Sequence, residues 1–223
     1  MDPRLRTAVD ASASWYDDVF ALHHIPVRRE DGLWSALGPP PPWHSAVKTL
    51  RPGIETERVA RAIRGFEHGT VADSFGDLDL AHDGFEVLLD ATWLHHEPDA
   101  GTGTLPEAWS VVDTVVELDE WATAHDYTGV LPPAALDDTR FRILACRRDG
   151  RLVGGAITHA GPGRVGLSNV WGAEGAAVFD DVMVAVSALH PGLAVTDYAW
   201  GDDRDAMVAA GFAPVGPQRV WSR

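Results

Sequence analysis

The sequence predicts an α+β protein built on a mixed, mostly antiparallel sheet flanked by helices. Three observations carry that class. Residues 141–147 and 152–158 are apolar runs of strand length separated by Asp149-Gly150. An Asp-Gly link between such runs marks a hairpin, because both of its positions need positive φ. Residues 176–190 place Val178, Val182, Val186 and Leu189 on one helical face, between apolar runs at 164–171 and 193–200. A further set of strand-like and helix-like runs fills the first half, so the two kinds of element interleave along the chain.

Taken in order, residues 11–24 hold Trp15, Val19 and Leu22 at helical spacing, and Pro26 ends that helix. The run Gly38-Pro39-Pro40-Pro41-Pro42-Trp43 is extended, because proline fixes φ and disfavours helix in the residue before it. Lying between structured segments, it reads as a rigid connector. Residues 44–50 form a strand broken by Arg51-Pro52-Gly53. Residues 55–66 form a helix with Val59, Ile63 and Phe66 on one face and Glu55 and Glu57 in its first turn, where the helix dipole favours them. Residues 71–75 are a short strand, and 86–95, after Gly84-Phe85, are an apolar run suited to a buried strand. Residues 97–106 read as a linker. Residues 109–116 are β-rich, and 117–125 are helical with Leu118 and Trp121 one turn apart. Leu131-Pro132-Pro133 interrupts before the 141–147 strand, whose weak alternation fits burial of both faces. Gly161-Pro162-Gly163 turns the chain into 164–171. Pro191-Gly192 stops the long helix. Asp202 or Asp203 caps a short helix ending at Gly211, and 214–221 closes the sheet.

The chain of 223 residues has room for one large domain or two small ones, and 45% hydrophobic residues mark it as globular. No apolar run approaches the roughly 20 residues that span a bilayer. The start lacks a basic region followed by an apolar core, so no secretory signal is expected and the expected location is the cytoplasm. The single cysteine, Cys146, excludes an internal disulfide and reads as a small core residue. A formal charge of -15 repels phosphate backbones, so nucleic acid is not an expected partner, and without a spanning apolar run neither is a membrane.

A faint echo runs through the chain. In each half a strand leads through an acidic stretch to a Gly-Phe pair (Gly84-Phe85 and Gly211-Phe212), and Trp93 or Trp221 follows in the next strand. Such an echo suggests related halves, 1–106 and 107–223. From residue 141 on, the order of strand, tight turn, strand, strand, glycine-containing turn, helix, strand, short helix, Gly-Phe and closing strand resembles the GNAT N-acetyltransferase superfamily, and the resemblance covers roughly residues 109–223. The resemblance implies a GNAT-like C-terminal half and an N-terminal half that is a degenerate copy. It also implies acyl-CoA lying where the 164–171 strand splays from its neighbour. There Val170 would hold the thioester and pantetheine, and the backbone of Trp171, Gly172, Gly175, Ala176 and Ala177 would hold the pyrophosphate. Unpaired amides at a helix start suit an anion.

The resemblance is altered at two places. Gly172 stands where the family carries a glutamine or arginine, while Gly175 and Ala177 fit; Glu174 adds a negative charge. Met207 stands where many relatives carry the tyrosine that protonates the leaving thiolate. Tyr198 is the nearest substitute acid. Ser168 and Asn169, expected on opposite faces of their strand, are candidates to bind substrate or water. His159 reads as an exposed turn residue, and the pairs His23-His24 and His95-His96 diverge too far to share a metal ion. Trp34 and Trp43 flank the proline run, as rim packing or as walls of a pocket between the halves. Two functions therefore stand open. One is acyl transfer from acetyl-CoA or another acyl-CoA to a small-molecule amine. The other is a non-catalytic GNAT-like protein that binds a small molecule or a partner protein.

Overall fold

The computed structural model describes residues 1–101, 103–173 and 178–223. The elements are α1 (Pro3–Leu22), β1 (Val27–Glu30), β2 (Leu33–Ala36), β3 (Val47–Thr49), α2 (Thr56–Ile63), β4 (Thr70–Asp73), β5 (Glu86–His96), β6 (Trp109–Val111), α3 (Val115–Ala124), β7 (Phe141–Arg148), β8 (Arg151–Gly161), β9 (Arg164–Gly172), α4 (Val178–Leu189), β10 (Ala194–Ala199), α5 (Gly201–Ala209) and β11 (Ala213–Ser222). Short 3-10 turns occupy Ala81–Asp83 and Pro133–Leu136. No helix among the described residues is long and apolar enough to cross a membrane.

All the strands among the described residues join one sheet of eleven, in the order β1-β2-β3-β4-β11-β5-β10-β9-β8-β7-β6. Two neighbouring pairs are parallel, β3 with β4 and β9 with β10; the others are antiparallel. Each parallel pair is joined through a helix, α2 in one case and α4 in the other, as a parallel connection requires. Near the centre two strands cross over. β5 lies between β11 and β10, and β11 lies between β4 and β5, so each half of the chain completes its sheet with a strand of the other.

Alternation along the strands sorts the helices. Val47 and Val71 face α2, while Leu94, Leu144, Leu167 and Val195 face α4 and α5. The opposite face carries α3 over Ile143, Ala145 and Ile157, and α1 across the middle over Trp93. α1 begins at Asp2, whose carboxylate accepts from the Arg4 N–H at 2.8 Å, with Pro3 in its first turn. Its Ala8, Ala11 and Ala13 let it lie close to the strands.

Several expectations are corrected. The hairpin β1–β2 was not anticipated, although Asp31-Gly32 supplies the same turn signal as Asp149-Gly150, with φ of 47° and 83°. α1 starts eight residues earlier than its large apolar residues suggest, because its first half packs through alanines. The expected strand at 109–116 shortens to β6, since Thr114 caps α3 there by accepting from the Glu117 N–H at 3.2 Å. The first half of β5 is exposed at Val87 and Leu88; only Trp93 to His95 is buried, where helices cover both faces. Asp202 and Asp203 lie inside the first turn of α5 rather than capping it, the cap position being Trp200. Trp34 is core, its Nε1 donating to Asp17 at 2.8 Å, whereas Trp43 is 74% exposed. His159 is 3% exposed, not a turn residue, because β8 runs on to Gly161 beneath α1. Its Nε2 lies 2.8 Å from Asp18, which also pairs with Arg140 at 2.6 Å.

Candidate active site

The site begins where β9 and β10 part. Their parallel pairing covers Arg164–Ala194, Val165–Val195 and Gly166–Thr196, and no pair follows. Beyond Gly166, β9 continues to Gly172 bonded to β8 on its other side. β10 continues to Ala199 against β5. The sheet therefore opens between residues 167–172 and 197–199, and the backbone groups of β9 on that edge have no strand to pair with.

A bulge shapes the open part of β9. Gly155 pairs with Trp171 and Ile157 with Ser168, so Ala156 faces both Asn169 and Val170. Asn169 accommodates the extra residue in a left-handed conformation, φ 54°, which asparagine tolerates better than most residues. The bulge overturns the expectation that Ser168 and Asn169 diverge. Asn169 Nδ2 donates to Ser168 Oγ at 3.0 Å and to the Tyr127 hydroxyl at 3.3 Å. Beyond the bulge Val170 packs with the α4 cluster, and Trp171 turns to the α3 face.

On that face stands a residue that sequence reasoning missed, His125, at the end of α3. Its ring stacks on Trp171, with centroids 5.7 Å apart and planes 12° apart, and meets Trp121 edge-on. Its Nε2 lies 3.3 Å from Asn169 Oδ1. Since the Asn169 amide group donates elsewhere, Oδ1 accepts and His125 Nε2 carries the proton. The lone pair is then on Nδ1, which has no partner among the described residues. Burial lowers the His125 pKa, opposed by the Asn169 bond and by Asp126, so the imidazole is neutral near pH 7. The stack is possible because Trp121 sits over Gly155, where a Cβ would approach its Nε1 to 2.1 Å. Trp121 Nε1 donates to Leu144 O at 2.9 Å.

Tyr198 lies on the same sheet face, its ring 5.3 Å from Trp93. Its hydroxyl makes no hydrogen bond among the described residues. Burial raises its pKa, helped by Tyr16, Asp197 and Tyr127, so it is a protonated phenol at neutral pH. The chain has three tyrosines, and all three influence one another here. Met207 is core, 1% exposed among Leu94, Val195 and Phe212. Gly175, Ala176 and Ala177 lie outside the described residues, whereas Gly172 ends β9 opposite Gly154. A shallow cavity of about 260 Å³ lined by Val111, Asp113, Leu136 and Arg142 opens beside β6 and β7, away from the parting strands.

No family model and no curated protein matches the sequence. Solved structures do match along nearly the whole chain. A GCN5-related N-acetyltransferase from Kribbella flavida superposes with a TM-score of 0.62 at 15% identity, covering 96% of this chain and 95% of its own. A GCN5-related N-acetyltransferase-like protein from Streptococcus suis gives 0.60 at 12% identity, covering 99% and 98%. A conserved protein of unknown function from Staphylococcus epidermidis gives 0.64 at 10% identity, covering 89% and 94%. The chain has a GNAT-like fold, and identities this low establish the fold alone.

Proposed function

We propose that the chain is an acyl-CoA-dependent N-acyltransferase acting on a small amine by direct transfer. The observation that carries the reading is the open edge of β9 with a neutral, singly bonded histidine beside it. An extended pantetheine fits that edge, because the unpaired backbone groups near Val170, Trp171 and Gly172 can bond it as a strand would. Gly175, Ala176 and Ala177 would receive the pyrophosphate at the start of α4. Ser168 and Asn169 orient the acceptor, and His125 Nδ1 takes the proton of the attacking amine. The amine nitrogen bonds the thioester carbon, the carbon–sulfur bond breaks, and Tyr198 returns a proton to the departing sulfur. Positioning supplies much of the remaining acceleration.

Two measurements test this reading. Acetyl-CoA should raise the melting temperature, a ligand at 100 times its Kd adding about 2.7 kcal/mol, with calorimetry confirming saturation. His125→Gln should lower kcat by about 100-fold while leaving the acetyl-CoA Kd unchanged. No heat and no melting shift at millimolar acetyl-CoA would favour the non-catalytic reading. Burial of Met207, which removes a proton donor from α5, is the observation on that side. We also propose that residues 1–106 and 107–223 are copies of one unit, on the strength of their matching order of antiparallel strands, parallel crossing, helical turn and Gly-Phe strand.

A further inference from the structure

Among the chain's eighteen lysines and arginines, Lys48 is the only lysine, and it is 1% exposed. It extends from β3 across the sheet face that also carries Trp93 and Tyr198. Its Nζ lies 5.1 Å from the Tyr16 ring centre and 5.2 Å from that of Trp93. The two aromatic faces attract the cation but accept none of its three N–H donors in a hydrogen bond. No hydrogen bond or ion pair to Lys48 forms among the described residues. Buried cations in folded proteins are normally paired, so an unpaired one points to a missing acceptor.

Two further orphan groups lie on β11 and in the turn after β4. Ser74 Oγ and Gln218 Oε1 are both buried without a partner. Lys48 pairs with Ala72, and Ala72 with Val220; Gln218 lies two residues before Val220 on β11, while Ser74 begins the turn after β4. Gly216, two residues before Gln218, pairs with Trp93, which puts the side chains of Lys48, Gln218 and Trp93 on one face. Trp93 ties the group together, since its Nε1 donates to Ser74 O at 2.8 Å while its ring faces Lys48.

We propose that Lys48, with the Ser74 hydroxyl and the Gln218 carboxamide, forms a subsite for a carboxylate, and that the acceptor is an amine bearing that carboxylate at the end remote from its amino group. The anion is single for reasons of charge. Arg219, the next cation on β11, is held by Asp90 at 2.7 Å, and Asp73 lies nearby with its oxygens bonded to the Phe75 and Leu78 amides. Asp73 already acts on the Lys48 ammonium, so the region has room for no more than one added negative charge, and a phosphate dianion would leave an excess in a buried region. The Ser74 hydroxyl can donate to a carboxylate, and the Gln218 carboxamide can do so once it turns its NH2 into the place of the unpartnered Oε1. From Lys48, the Trp93 ring and then the Tyr198 ring, 5.3 Å from it, lead toward the parted strands, which sets the amine end there. The amine end rests on the acyl-transfer reading; the carboxylate end does not.

The test uses the full chain and matched probes: ω-amino acids from glycine to 6-aminohexanoate, each beside the n-alkylamine of equal carbon number. Acetyl transfer is read by thiol release. Protection of Lys48 from reductive methylation is read by mass spectrometry, which a single lysine makes unambiguous. At least one amino acid should exceed its matched amine in kcat/KM by about tenfold or more, as expected for a buried charge contact. Lys48→Met should collapse that ratio to near unity. Ser74→Ala, which removes a hydroxyl bonded to nothing in the fold, should cut it by roughly two- to fivefold. A ratio of one in the wild type, or a ratio that survives Lys48→Met, overturns the proposal. Should acetyl-CoA fail to bind, the protection experiment decides alone. Shielding of Lys48 by the amino acids and not by the alkylamines upholds the subsite after the acyl-transfer reading has fallen, and no shielding overturns it.

Discussion

β3 and β4 run parallel through two residue pairs, Val47–Val71 and Lys48–Ala72, and β9 and β10 through three. Each crossing returns through a helix on the same side of the sheet, yet one is closed and the other open. β3 ends at Thr49, a single residue beyond its last pair, and Arg51-Pro52-Gly53 follows. β9 runs on to Gly172, with a left-handed Asn169 bending it away from β10. A parallel crossing opens only when strand continues past the last shared hydrogen bond. The proline and the short strand remove that continuation from the first crossing, which is filled on the α2 side by Val47, Val71, Val59 and Ile63, with Lys48 buried on the other face.

The largest effect comes from separating the crossings. A fragment of residues 107–223 lacks β5, which lies between β10 and β11. It should show no cooperative thermal transition alone and regain one when mixed with residues 1–106. A cooperative melt of the fragment by itself would mean that β10 and β11 can pair directly.

Next in size is the charge in the closed crossing. Burial lowers the Lys48 pKa to about 7, partly opposed by Asp73. The unfolded lysine titrates near 10.5, so the unfolded chain binds the extra proton between those values and wild-type stability falls as pH drops from about 10 to about 7. Lys48→Met removes this linkage. It should therefore stabilise the protein by about 4 kcal/mol at pH 7, with the gain shrinking toward pH 10 in denaturant titrations. A gain that did not vary with pH would show that Lys48 is not titrating in the fold.

The smallest effect belongs to the open crossing. Gly155→Ala places a Cβ 2.1 Å from Trp121 Nε1 and 2.7 Å from Leu144 O. It should cost about 1–3 kcal/mol and shift tryptophan fluorescence as the Trp121–Trp171–His125 group moves. Unchanged fluorescence with unchanged stability would show that Trp121 does not hold His125 in place.

Much of the fold was legible where local signals act alone. The Asp149-Gly150 turn, the face of α4 and the Gly-Phe strands follow from turn chemistry and periodicity. The site was legible only in part. Ser168, Asn169 and Tyr198 do lie where the strands part, but their mutual geometry depends on a bulge, and one left-handed residue among apolar neighbours leaves no periodic trace. His125 was invisible because its partners, Asn169 and Trp171, lie 44 and 46 positions away. Lys48 lay unremarked within the expected 44–50 strand. Its status as the only lysine was a signal available in the sequence, and its burial was not.

The crossed central strands also bear on how the protein is made. β4 and β5 leave the ribosome well before residues 213–222, the strand that joins them, on the order of ten seconds sooner at ordinary rates of synthesis. Until then both present bare strand edges, with Val87 and Leu88 among the exposed apolar groups of β5. Assembly of the sheet therefore waits until residues 213–222 have emerged, and the nascent first half is the form on which holding chaperones would act.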